Sequence, residues 1–139
     1  MRRRLCSCAL ALMCLGLLPL SASAGAADRA EAQEALEQAV PAHLQKVVRT
    51  LRPSAAKPEV RRDGNGFVAV YQEVDARRPE VDVTPAEQPG EFVGRVSYVI
   101  HEFHARGATE AEALKGSFRR AKSKRMREYT SFKDGKWAL

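Results

Sequence analysis

The chain has 139 residues, with 23 Lys+Arg against 17 Asp+Glu, 45% hydrophobic side chains, 9 Gly and 7 Pro. Such a length holds one domain of ordinary size, since a domain takes roughly 100 to 200 residues, and the composition excludes collagen-like, mucin-like and wholly disordered chains. A large multidomain enzyme is excluded as well.

Residues 1–24 read as a secretory leader. Arg2, Arg3 and Arg4 form a positive start, an apolar run follows to Leu20, and Ala22-Ser23-Ala24 offers the small side chains a signal peptidase accepts, so cleavage is expected before Gly25. The uncharged run is short for a bilayer span of about 20 residues and contains Pro19, which favours processing over a retained anchor. Residues 25–139 are then expected to form a single domain in the periplasm or outside the cell, not an integral membrane protein. Cys6, Cys8 and Cys14 all fall in the leader, so the mature chain keeps neither a disulfide nor a thiolate nucleophile nor a cysteine metal site. No cofactor is expected.

Without the leader, 20 basic and 17 acidic side chains remain, net +3. Their distribution is uneven. Residues 25–91 carry 9 basic and 12 acidic groups and residues 92–139 carry 11 and 5, which makes the protein electrically polarised.

Asp28 followed by Glu31 has the spacing of a capping box and predicts a helix start. Leu36, Val40, Leu44, Val47, Val48 and Leu51 then recur at steps of three and four, an apolar stripe that carries the helix to about Arg52. Pro41 removes a backbone donor inside it and predicts a kink or a break. Beyond Pro58 the period changes to two. Asp63-Gly64-Asn65-Gly66 predicts a hairpin turn between residues 59–62 and 67–74, with Val68, Val70 and Val74 on one face and Phe67 and Tyr71 on the other.

Residues 76–90, with Pro79, Pro85, Pro89 and Gly90, read as a surface loop. Residues 92–106 form the longest strand candidate, residues 109–114 a single helical turn or plain loop, and residues 118–132 a further strand that Asp134-Gly135 turns into residues 136–139. The fold class is therefore α+β: an N-terminal, kinked helix packed on a curved antiparallel meander of four to five strands. This element order resembles cystatin-like and NTF2-like helix-on-sheet architectures.

Chemistry-bearing residues are sparse. His101-Glu102-Phe103-His104 approaches the H-E-x-x-H zinc signature, but its histidines are three apart and on a strand they point to opposite sides, so no metal site is expected. Glu102 and His104 share a face, which allows a pair between them, although polar residues on a partly exposed strand explain them as well. His43 belongs near the core rim. No serine sits in a G-x-S-x-G elbow and no glycine cluster has a phosphate-loop context. The strongest anomaly is residues 115–127, where Lys115, Arg119, Arg120, Lys122, Lys124, Arg125 and Arg127 occur without an acid. Bases on both strand faces exclude a doubly buried strand and predict an exposed edge. Such an edge either binds an anionic partner through counterion release or is simply guarded by charge and paired with acids in residues 73–91. Few aromatics interleave there, which disfavours single-stranded nucleic acid.

The stretch Gly-Arg-Val-Ser-Tyr-Val at residues 94–99, Gly-Ala-Thr-Glu-Ala-Glu-Ala-Leu-Lys-Gly at 107–116 and Tyr-Thr-Ser-Phe-Lys-Asp-Gly-Lys-Trp at 129–137 resembles small exported bacterial proteins that share a strand, a G-x-T-x-x-x-A-L loop and a Trp-ended hairpin. The resemblance implies export and transfers no active-site residue.

The expected function is a small exported, non-enzymatic binding module that uses the basic strand for an anionic envelope component or protein. One alternative is a small-ligand carrier or enzyme with a pocket between helix and sheet around Tyr71, Tyr98, Glu102 and His104. The other is a structural homo-oligomer.

Overall fold

The computed structural model describes the backbone of residues 24–139 and the side chains from Arg29 onward; the expected leader, apart from Ala24, lies outside them. A 27-residue helix, α1 (Ala24–Thr50), comes first. Five strands follow: β1 (Glu59–Asp63), β2 (Gly66–Pro85), β3 (Phe92–Gly107), β4 (Arg119–Lys133) and β5 (Lys136–Trp137). They pair antiparallel in the order β1-β2-β3-β4-β5, so the expected α+β meander is what forms. A short helix, α2 (Glu110–Lys115), joins β3 to β4. Among the described residues no helix is long and apolar enough to cross a membrane.

Two expectations about α1 need correction. The helix is already running at Asp28, so the Asp28/Glu31 pair lies inside it instead of capping its start. It also runs through Pro41 as one continuous element, so of the two outcomes expected there the break does not occur. A proline costs the one hydrogen bond its nitrogen would donate and crowds the preceding turn, while Ala32, Leu36, Val40 and Leu44, on both sides of it, are buried against the sheet and keep both halves of the helix packed there. Burial of each large side chain is worth roughly 1.5–3 kcal/mol, enough to outweigh one lost bond.

The region expected as a loop at residues 76–90 is mostly strand. β2 continues to Pro85, and its prolines sit where they do no harm to the ladder: Pro79 in an irregularity between Asp75 and Glu80, Pro85 at the strand end. In that irregularity four residues of β2 stand opposite Tyr98 alone. β4 carries a smaller one, Ala121, between Lys122 and Arg120.

β3 itself is regular, so residue parity assigns its faces. Phe92, Gly94, Val96, Tyr98 and Ile100 face α1, in a core with Val74, Val83, Leu36, Val40 and Leu44, and with Val47 and Leu51 packed at its margin. Gly94 is where helix and sheet come closest: a Cβ there would lie 2.5 Å from Leu36 Cδ2 and 2.7 Å from Trp137 Cζ3. Trp137 Nε1 donates to the Ala32 carbonyl at 3.0 Å and ties β5 to the helix. The other face is covered at the opposite end, where Ala113 of α2 is fully buried over Gly107 and Ala105. Thr109 caps α2 by accepting from the Glu112 backbone N–H, and Glu112 accepts from Ala108 N.

Turn chemistry agrees with the sequence. Gly64, at the first central position of the β1–β2 hairpin, has φ of 61°, and the β4–β5 turn uses Asp134 and Gly135 at 50° and 75°.

Candidate functional site

β4 is the flank of the sheet over most of its length, because β5 pairs only with Phe132 and Lys133. From Arg119 to Arg127 every residue except Met126 is exposed, as expected for a charged edge strand. The ladder also fixes which backbone groups are free. Ala138 N donates to the Ser131 carbonyl, so Ser131 turns its backbone away from β3. Alternation then turns the N–H and C=O of Ser123, Arg125, Arg127 and Tyr129 outward, while Lys124, Met126 and Glu128 bond to β3. Gln72, whose N–H donates outward to the Pro53 carbonyl at 2.8 Å, obeys the same alternation two strands away.

The seven bases are not equivalent. Arg125 forks onto both oxygens of Glu80 at 3.0 and 3.1 Å, and Lys122 lies 3.9 Å from Glu102. Arg125–Glu80 follows the expected pairing with acids in residues 73–91, whereas Lys122 meets an acid of β3; further along β4, Lys133 lies 3.2 Å from Glu91. Among the described residues, Lys115, Arg119, Arg120, Lys124 and Arg127 meet no carboxylate within 4.0 Å. Arg119 and Arg120 border a cleft of about 390 Å³ beside the Ala121 irregularity, together with His104, Arg106 and Ser117. Lys115 ends α2.

The four residues expected to line a pocket do not converge. Tyr71 faces away from α1, stacked on Phe103 at 4.9 Å and in contact with Phe118. Tyr98 is 3% exposed and part of the core. Glu102 and His104 do pair, Oε1 to Nε2 at 2.7 Å, and this hydrogen bond, assisted by Lys122, holds the Glu102 carboxyl below its ordinary value of 4.5. The groove that does exist between helix and sheet lies elsewhere: about 350 Å³, lined by Pro41, Leu44, Val48, Ala76 and Pro79.

Two constellations had no local signature. Glu128 on β4 accepts from Tyr98 O–H with one oxygen and lies 2.6 Å from His43 Nε2 with the other. Burial and the neighbouring carboxylate both push the Tyr98 phenol well above its ordinary 10.0. The second is His101, whose Nδ1 is 2.8 Å from Ser123 Oγ and whose Nε2 is 3.7 Å from Asp75 Oδ2. This is not a charge-relay geometry. Asp75 is beyond hydrogen-bond reach of the ring, and it accepts instead from the Arg77 backbone N–H at 3.2 Å, which lowers its pKa. The register makes His101 and Ser123 direct cross-strand neighbours, which is sufficient reason for their contact. His101 and His104 lie on opposite faces of β3. Among the described residues no group of three or more His, Cys, Asp or Glu could hold a metal ion.

Comparison with protein-family models, with curated proteins and with solved structures finds no match for this chain.

Proposed function

We propose that the protein is an exported, non-catalytic binding module that takes an anionic partner along the free flank of β4. The observation that carries this reading is the position of the acid-free run at residues 115–127: six of its seven bases lie on the unpaired edge strand β4, and five of the seven meet no carboxylate among the described residues. Charge also guards an exposed edge against pairing. Seven bases, with a cleft between Arg119 and Arg120 at one end, suit an extended polyanion or an acidic protein surface.

Binding to heparin fragments, followed as a function of NaCl concentration, tests it. The association constant is expected to fall steeply with salt, with a log–log slope of several units, and the triple variant R119E/R120E/R127E should lose it. Absence of binding at low salt, or binding indifferent to salt, would overturn the reading.

A second reading rests on the groove beside Pro41 and Val48, where Val48 is 49% exposed. Its apolar lining suits a small hydrophobic ligand. Enhancement of an apolar dye that V48E abolishes would support it, and a dye response unchanged in V48E would remove it.

A further inference from the structure

We infer that the anionic partner of β4 is an acidic polypeptide that adds to the sheet as a sixth strand, pairing with the outward backbone groups of Ser123, Arg125, Arg127 and Tyr129. The inference rests on the functional reading above and narrows it from any polyanion to an extended chain with strand geometry.

The free backbone supplies the first part of the argument. Four alternate residues of β4 present both N–H and C=O to the flank, and no described segment covers them. Regular pairing with β3 is uninterrupted from Lys122 to Phe132, so these eight groups lie on one regular edge. At a rise of roughly 3.4 Å per residue the span from Ser123 to Tyr129 is about 20 Å, the length of an ordinary strand. Strand addition satisfies such groups without rearrangement of the receiving sheet.

Side chains then select the chemistry of the incomer. A strand paired opposite Ser123, Arg125, Arg127 and Tyr129 places alternate side chains on their face of the sheet. Two guanidiniums lie there, one of them without a carboxylate, next to the 69% exposed ring of Tyr129. The residues between would lie over Lys124, Met126 and Glu128, where the Glu128 carboxylate disfavours a second acid. The pattern that fits is alternation: carboxylates beside Arg125 and Arg127, apolar side chains beside Met126.

A second copy of this chain fits poorly. Antiparallel pairing of two β4 edges centred on Arg125, Met126 or Arg127 sets a guanidinium directly opposite another guanidinium in every case, and like charges facing each other across strands are destabilising. A sulfated polysaccharide would satisfy the charges and leave the backbone groups in water.

The experiment uses a capped eight-residue peptide of alternating Glu and Val, the same peptide N-methylated at every Glu, and a heparin octasaccharide, each titrated into the full-length protein with amide hydrogen exchange read by NMR. The parent peptide should slow exchange at the Ser123, Arg125, Arg127 and Tyr129 amides by about tenfold or more at saturation, and N-methylation should weaken binding by at least about tenfold. Heparin should leave those amides fast. The inference is overturned if the N-methylated peptide binds as tightly as its parent, or if the parent fails to slow those four amides. Salt-sensitive heparin binding without peptide binding would sink the strand inference and leave the broader reading standing; if neither binds, both fall.

Discussion

His43 on α1 and Glu128 on β4 stand 2.6 Å apart across 85 residues of sequence, and the same carboxylate accepts the phenolic hydrogen of Tyr98 on β3. Three elements are thus fastened by one acid at the edge of the core.

Tyr98→Phe should cost about 1.5–3 kcal/mol, the range for a hydrogen bond to a charged partner, as read by urea denaturation at neutral pH. The alkaline limb gives a sharper check. Because the folded phenol titrates above its unfolded value of 10.0, its contribution is complete below pH 10.0 and is lost as pH rises towards the folded value. Wild-type stability should therefore decline above about pH 10, and Y98F should decline less steeply.

Gly94→Ala should destabilise the fold by about 1–3 kcal/mol. The added methyl would meet Leu36, which is fully buried and has no room to move, and the ring of Trp137. In a Leu36→Ala background the same substitution should cost less, the contact with Trp137 remaining, and a double-mutant cycle on thermal unfolding reads the coupling.

Proline substitution on β4 separates its two sets of backbone groups. Lys124→Pro removes an N–H that bonds to β3 and should cost about 3 kcal/mol, whereas Arg125→Pro removes an outward N–H and should cost clearly less. Both side chains are exposed, and the surface pair lost with Arg125 is worth little. Equal costs would show the alternation to be absent, and a larger cost for Arg125→Pro would show it to be reversed.

At the acidic end, Glu102 is held below 4.5 chiefly by its hydrogen bond to His104. Its contribution to stability is present above pH 4.5 and fades as pH falls through the lower, folded value. Carbon-detected NMR titration should find the Glu102 carboxyl below 4.5 in the wild type and shifted upward in His104→Ala.

Much of this fold was legible in the sequence because it is written in short-range chemistry. The stripe of Leu36, Val40 and Leu44, the turn residues Gly64 and Gly135 and the opposite faces of His101 and His104 on β3 each rest on neighbours a few positions apart. The misreadings share a different cause. Prolines signal loops and breaks by local sterics, yet Pro41 is carried by the packing on either side of it, and Pro79 by an irregularity that only the register with β3 reveals.

The site was legible to the same extent. Edge placement of the basic run follows from the cost of burying charge, and the Glu102–His104 pair from spacing by two. The His43–Glu128–Tyr98 contact joins elements whose approach is set by tertiary packing, and no spacing announces it. Tyr71 was placed with Tyr98 in one pocket although strand alternation already set it on the face opposite Val70 and Val74, and the register puts it opposite Phe103, on the other side of the sheet from Tyr98.

The regularity of β3 bears on which length changes the protein can survive. An extra residue in β3 would swap inside for outside from that point onward, sending valines into water and histidine or arginine into the core. The stretch between Asp75 and Glu80 already stands out of step with its partner, so insertions there shift nothing beyond themselves. Natural variants that differ in length should carry their indels at that elbow and leave the central strand untouched.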